Sequence, residues 1–346
     1  MLGDFKNILI IKPSALGDIV LALPALSALH RNFPRAKISW LVRPEFAALL
    51  ENHPHLDQTI IFDRRYFSKA WYQPSAFRGF VTLVRQLRSS RFDAVLDLQG
   101  LFRTAFLARL TGCPNRFGMA NARELAPVFY THKVLQTPEC IHLVDYYLKI
   151  VGQMGASDLR VEFILPHNPA AGDTVKRLLI QHNVRPDGYV VFVPASTDKD
   201  KCWPVERFAA IADRISSEFD LSIVACGTAT EGRVVEELRS LTKTPIVNLA
   251  GKTTLSELVA LLRAAGLVIS NDTGPGHIAA ALGTPLVMLF SWSNPARIAP
   301  YGRTECMVAR EPFGRGMKIK STDPGHLVKT ITVDEVYEKV RGQLRS

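Results

Sequence analysis

Short apolar runs rich in β-branched residues alternate along this chain with stretches whose apolar residues recur every three or four positions. Asn7 to Ile11, Lys37 to Val42, Thr59 to Phe62 and Asp93 to Leu98 are of the first kind and suit strands of a buried sheet. Between them, Ile19 to Phe33 spaces Val20, Leu23, Leu26 and Leu29 as a helix does, and a second helix is predicted near Pro44 to Glu51. Phe80 to Arg88 puts Phe80, Val81, Val84 and Leu87 on one face and Arg85 and Arg88 on another. After a helix over His142 to Met154 the pattern breaks between Gly155 and Pro186, with Pro166-His167-Asn168-Pro169 as the breaker. It restarts at Tyr189 to Val193, followed by helices over Phe208 to Phe219, Leu255 to Ala264 and Val333 to Leu344 and strands over Leu221 to Cys226 and Ile246 to Leu249. Strands alternating with helices predict parallel, doubly wound α/β sheets. A chain of 346 residues fits two such domains, here 1–168 and 186–346.

The most informative stretch is Leu267 to Phe290, read as strand, tight loop, short helix, strand. Leu267, Val268 and Ile269 have no helical period, and the strand ends at Asn271. Asp272 to Gly276 then turn, with Gly274 and Gly276 allowing positive φ and close backbone approach. His277 to Leu282 supply a helix that Gly283 and Pro285 stop. Its three alanines let it sit close to the sheet, leaving first-turn N–H groups to attract phosphate. Asp272 and Thr273 fall at the carboxyl end of a strand, where open α/β sheets bind ligands. His277 stands at the helix start, in reach of a phosphate oxygen, although a lone histidine is more commonly a packed or capping residue.

Composition is that of an ordinary globular chain, 47% hydrophobic and 21% charged. The five cysteines are widely spaced with no C-x-x-C pair, which argues against a disulfide framework or zinc site and for reduced thiols. The N-terminal apolar run, Ile8 to Ile11, is too short for a signal peptide and is followed by Lys12. No stretch reaches the roughly 18 apolar residues of a membrane span. The net charge of +10 is concentrated: between Arg64 and Arg123 there are eleven Arg or Lys against two acids, Asp93 and Asp97. Such a field suits an anionic membrane surface or an acidic substrate, or it is simply solvated helix surface. Nucleic acid is disfavoured, since no zinc finger, RNP or KH pattern is present.

Three more strand-to-helix loops carry chemistry. Lys12 to Asp18 lacks both G-x-G-x-x-G and a Walker sequence, so Gly17 and Asp18 mark a junction of another kind, with Asp18 suited at least to capping. Gln99, Gly100 and Arg103 follow the strand ending at Leu98; Arg103 and Arg123 suit bidentate grip on carboxylate or phosphate, or are ordinary surface arginines. The loop Pro194 to Pro204 contains Asp198-x-Asp200, a pattern that elsewhere binds a divalent cation. Lys199 and Lys201 neutralise the field a cation would need, so no metal is expected.

Asp272-Thr273-Gly274-x-x-His277 followed by Ala279-Ala280-Ala281-Leu282-Gly283-x-Pro285 resembles the nucleotide-sugar signature of the ADP-heptose:lipopolysaccharide heptosyltransferases, glycosyltransferase family 9. Lys201-x-Trp203-Pro204 and the Ser14-x-x-Gly17-Asp18 turn are similar to further family elements, and the resemblance spans nearly the whole chain. It implies a GT-B fold, two Rossmann-like domains with parallel sheets facing across a cleft. It implies an inverting transfer of L-glycero-D-manno-heptose from ADP-heptose to a Kdo residue of a lipid A precursor, with no metal or other cofactor. Asp18 would be the catalytic base and Lys201 the cation on the leaving diphosphate. Ser196, Thr197, Glu231, Asp272, Thr273, Gly274 and His277 would complete the donor site, and Ser14, Gly17, Gln99, Arg103 and Arg123 would hold the acceptor. Asp97-Leu98-Gln99-Gly100-Leu101 and Asn121-Ala122-Arg123-Glu124 resemble the first-heptose enzyme more than the second-heptose enzyme. The expected location is cytoplasmic, peripheral to the inner membrane. Transfer to another acceptor, a nucleotide-sugar epimerase and a nucleotide-sugar-binding module without turnover are the alternatives.

Overall fold

The computed structural model describes residues 4–345, which divide into two compact units between Pro166 and His167. The first unit has strands β1 (Asn7–Ile11), β2 (Lys37–Val42), β3 (Gln58–Ile61), β4 (Ala94–Asp97), β5 (Asn115–Met119) and β6 (His132–Val134). Its helices are α1 (Leu16–Asn32), α2 (Arg64–Phe67), α3 (Pro74–Ser89), α4 (Phe102–Leu110) and α5 (Leu143–Gly152). All strands are parallel, in the order β3-β2-β1-β4-β5-β6. The order reverses between β1 and β4, and ligands of open α/β sheets bind where it does. The loops beyond Ile11 and Asp97 lie there; they carry Ser14 and Gln99, and the first leads into the turn of α1 that carries Asp18.

The second unit repeats the plan with α6 (Pro169–Gln181), β7 (Tyr189–Val193), α7 (Val205–Glu218), β8 (Ser222–Ala225), α8 (Gly232–Ser240), β9 (Ile246–Asn248), α9 (Leu255–Ala264), β10 (Leu267–Asn271), α10 (Gly274–Leu282), β11 (Leu286–Leu289), α11 (Pro295–Ile298), β12 (Met307–Val308) and α12 (Val333–Arg345). The order is β12-β11-β10-β7-β8-β9, again all parallel. Its switch point falls between β7 and β10, so the loops from Pro194 and from Asp272 lie side by side. The strands β7 and β11 are buried throughout, as their unbroken apolar sequences require, and β10 is buried throughout as well, its polar Ser270 and Asn271 satisfied by hydrogen bonds. One core joins them to Trp203 and Phe208 and, from the C-terminal helix, Val336 and Val340.

Several elements differ from the sequence expectation. Helix α1 begins at Leu16, so Asp18 sits inside its first turn. Helix α3 begins six residues before Phe80, at Pro74, whose fixed φ suits a first helical position. The segment 44–49 is a 3₁₀ turn. Within the stretch 155–186, Pro169–Gln181 forms a helix that packs on α9 and belongs to the second unit. Its Asn168 side chain accepts from Ala171 N, a cap hidden inside what reads as a breaker.

A histidine cluster ties α1 to the turn before β3 and to the chain near Ile164. The His53 ring is buried, donating from Nε2 to Ile164 O at 3.1 Å and accepting the His55 N–H on Nδ1 at 3.1 Å. His55 stacks on His30 at 4.2 Å and bonds Ser27 Oγ, with Arg31 and Glu162 also near. Burial above all, and then the neighbouring imidazoles, push the His53 pKa down to about 4, against the pull of the Ile164 carbonyl. The unfolded chain therefore takes up a proton near the ordinary histidine value and the folded chain only near 4, so stability rises with pH across that window. Between pH 7.5 and pH 5 the protein is expected to lose about 2 kcal/mol through this group. Chemical denaturation at the two pH values measures it. His53→Gln, which keeps a donor for Ile164, removes most of the difference; an unchanged difference in that variant would refute the assignment.

Candidate active site

The site in the second unit is built on a buried carboxylate. Asp272, the first residue beyond β10, is 5% exposed. Its Oδ2 accepts Lys201 Nζ at 2.6 Å and Ser293 Oγ at 2.6 Å, and its Oδ1 lies 3.4 Å from His277 Nε2. Burial alone would raise this carboxyl's pKa, but the His277 contact and the Lys201 charge hold it well below the usual carboxylate range. The three partners come from three places: the loop after β7, the loop after β11 and the first turn of α10. Asn271 draws the first of these in, accepting Trp203 N at 3.0 Å on Oδ1 and donating from Nδ2 to Pro194 O at 2.8 Å.

Beyond Asp272 the chain enters α10, with Thr273 as its extended N-cap and Gly274 as its first residue. Neither Gly274 nor Gly276 has positive φ; close approach is what the turn requires. A Cβ on Gly276 would come within 2.9 Å of Ser270 Oγ. Thr273 Oγ1 lies 3.1 Å from that same hydroxyl rather than on the helix, Pro275 has no N–H and His277 N donates to Thr273 O, so the N–H groups of Gly274 and Gly276 are left to bind something else. His277, which the sequence places in reach of a phosphate, has Nε2 3.4 Å from Asp272 Oδ1 and Nδ1 buried with no hydrogen-bond partner.

The other residues that the resemblance assigns to the donor are held by their own loops. Ser196 Oγ accepts Asp198 N at 3.3 Å, Asp198 Oδ1 accepts Asp200 N at 3.1 Å, and Thr197 is exposed. These bonds make Asp198 the cap of the 3₁₀ turn 199–201, which is why Lys201 emerges where it does. Glu231 Oε2 accepts Thr228 N at 2.7 Å, closing a capping box at the end of β8. Among the described residues no group of three or more His, Cys, Asp or Glu side chains is arranged to hold a metal.

In the first unit, Asp18 is in the first turn of α1, its side chain 38% exposed. Its Oδ2 takes both Ala15 N and Lys12 Nζ, each at 3.4 Å, leaving Oδ1 for another donor. Lys12 is buried, with its ammonium 5.6 Å from the Tyr147 ring centre. Burial would lower its pKa, but Asp18 and Tyr147 together raise it above the ordinary value, so the lysine is charged. Gly17 is half-buried in the same turn.

A pocket beside this turn is lined by Ser14, Gln99 and Arg103, which the sequence singles out, and by Arg43, Arg64 and Phe62, which it does not. Ser14 N donates to Gln99 Oε1 at 3.4 Å. Gln99 and Gly100 are held in turn by Asp97, whose Oδ1 accepts both their N–H groups and whose Oδ2 accepts the Tyr130 hydroxyl at 2.7 Å. Gly100 has φ of +68°, and a Cβ there would lie 2.5 Å from Met119 Cε. Arg123 does not line the pocket; it is exposed, and only its backbone reaches this turn, through Gly100 O. Arg43 and Arg64 follow β2 and β3, and the available signal was their place just past the carboxyl ends of strands.

The comparisons with known proteins settle the family. Residues 80–326 match the model of glycosyltransferase family 9 (heptosyltransferase). The chain belongs to glycosyltransferase family 9. This family 9 chain is similar to the lipopolysaccharide core heptosyltransferase OpsX of Haemophilus influenzae, 27% identical over 90% of this chain and 88% of the relative. It is similar also to lipopolysaccharide heptosyltransferase 3 of Escherichia coli, 26% identical over 91% of this chain and 94% of that one. Among solved structures it resembles E. coli heptosyltransferase WaaC with ADP, with a TM-score of 0.77, 26% identity and coverage of 97% and 99% of the two chains. The GT-B fold class and glycosyltransferase activity follow.

Proposed function

We propose that the protein transfers L-glycero-D-manno-heptose from ADP-heptose to a Kdo residue of a lipid A precursor, with inversion at the anomeric carbon. The observation that carries the donor half is the Lys201 ammonium held on buried Asp272 in a family 9 chain, together with the N–H groups of Gly274 and Gly276 at the start of α10. That is a cation and a set of backbone N–H donors at the switch point of a doubly wound sheet, the combination a diphosphate requires. For the acceptor half the support is Arg43, Arg64 and Arg103 around one pocket, which match the carboxylate and phosphates of a Kdo-lipid. Relatives of nearly equal identity bear the names of different heptosyltransferases, so the first-heptose assignment rests on Asp97 to Leu101 and Asn121 to Glu124.

In the reaction, the acceptor hydroxyl oxygen bonds to the anomeric carbon as the bond from that carbon to the β-phosphate oxygen breaks. The hydroxyl proton passes to Asp18, whose Oδ1 is open to it. The carboxylate gains strength as acceptor as the hydroxyl acidifies in an oxocarbenium-like transition state. ADP leaves with a growing negative charge, met by Lys201 and the N–H groups after Thr273. With that charge met by protein groups, the mechanism uses no metal.

Transfer takes place, on this reading, at the cytoplasmic face of the inner membrane. Support comes from Arg64 to Phe92, which has seven Arg or Lys and no acid, with Trp71, Tyr72 and Phe77 exposed. Aromatic and cationic side chains together suit an anionic bilayer surface.

Purified protein given ADP-heptose in EDTA is expected to release ADP only when Kdo-lipid A is present. Asp18→Ala lowers kcat by ~10²–10⁴ while leaving ADP affinity unchanged. Acceptor-independent release, or an Asp18→Ala enzyme at full rate, would sink the mechanism. The protein is also expected to sediment with vesicles containing phosphatidylglycerol, less so at high salt, and not with phosphatidylcholine alone. Replacing Trp71, Tyr72 and Phe77 by Ser weakens that binding severalfold; equal binding to both lipids, or to neither, would contradict the membrane assignment.

A further inference from the structure

The loop after β11, Ser291-Trp292-Ser293, is held on every side. Ser291 Oγ donates to Asp200 O at 2.5 Å and accepts Val328 N at 3.1 Å, while Ser293 Oγ donates to Asp272. The buried guanidinium of Arg315 donates from Nη1 to the carbonyls of both serines, at 2.9 and 2.5 Å. Trp292 O accepts Ser321 N at 2.7 Å. The residue between these anchors is a half-buried tryptophan whose ring has Lys201 Nζ 4.7 Å from its centre and Lys320 Nζ 4.1 Å from it. A backbone fixed at so many points, bearing a ring turned toward a functional lysine, exceeds what packing alone needs.

We propose that Trp292 is the sugar-facing wall of the donor site, stacking on the glycosyl ring that a nucleoside diphosphate carries past Lys201. The proposal rests on the donor reading above and adds a specificity residue to it. A diphosphate drawn to Lys201 brings its glycosyl group against what borders that ammonium, and the half-buried Trp292 ring, its centre 4.7 Å away, does so. The Trp292 ring, which draws two ammonium groups to it, is electron-rich at its faces, and an indole face attracts the polarised C–H face of a pyranose for the same reason. Lys201 supplies the charged side and Trp292 the apolar side, the division of labour usual in sites for amphipathic ligands. Lys320 lies on the same ring and steadies it.

Calorimetric titration of the wild-type, Trp292→Ala and Trp292→Phe proteins with ADP and, separately, with ADP-heptose tests this. Trp292→Ala is expected to weaken ADP-heptose about tenfold and ADP less than twofold, with Trp292→Phe restoring most of the loss. The undiminished ADP affinity doubles as evidence that the variant is folded. Equal weakening of both ligands would assign the ring to the nucleotide or to the fold and overturn the proposal, as would unchanged ADP-heptose affinity in Trp292→Ala. Wild-type protein that binds neither ligand would overturn the donor reading itself.

Discussion

A carboxylate taken out of water must be matched by charge and hydrogen bonds or it will not stay ionised, and Asp272 imposes that condition on the second unit. Lys201, Ser293 and His277 satisfy it, so three separate segments converge on one side chain. Their convergence fixes where the Lys201 ammonium points and leaves the start of α10 uncrowded. The neighbouring residue, Asn271, ties down Trp203 and Pro194 by the same logic with amide hydrogen bonds. A site that must receive a diphosphate is thus organised before the ligand arrives, which reduces the ordering cost at binding.

The first unit uses the same topology for a different chemistry. At its switch point the buried group is a cation, Lys12, and the carboxylate beside it, Asp18, is the partly exposed member. Inverting which partner is buried changes what the site offers: a cation held ready in one unit and a carboxylate oxygen held ready in the other. Asp97 plays the supporting part here, its burial raising its pKa while Tyr130 and the N–H groups of Gln99 and Gly100 oppose the rise. It serves the pocket by shaping the turn that carries Gln99.

Much of this was legible in the sequence, because buried parallel strands leave unbroken apolar runs and the glycine at α10's end, Gly283, adopts the φ of +75° that a stop demands. Strands β5, β6 and β12 were not read. Asn115 to Met119 mixes polar and small residues, while β6 and β12 have three and two residues, too few to show a period. Helix α6 hid behind prolines that in fact start it. The resemblance singles out Asp18, Lys201 and Asp272 but not what lies against them: Lys12, Ser293 and Trp292 are ordinary residues in sequence and meet those three only through the folded geometry. The contact of His277 with Asp272 was likewise not legible, since its position at the start of α10 speaks only of a phosphate.

The central claim is that Lys201 meets the diphosphate as a member of one unit with Asp272. A double-mutant cycle of Lys201→Met and Asp272→Asn, read as ADP affinity, tests it most directly. Coupled residues are expected to give a double variant no weaker than the Lys201→Met protein, an interaction of about 1 kcal/mol or more. Losses that add within about 0.5 kcal/mol would mean that the two side chains act independently, and the account built on the buried carboxylate would fail.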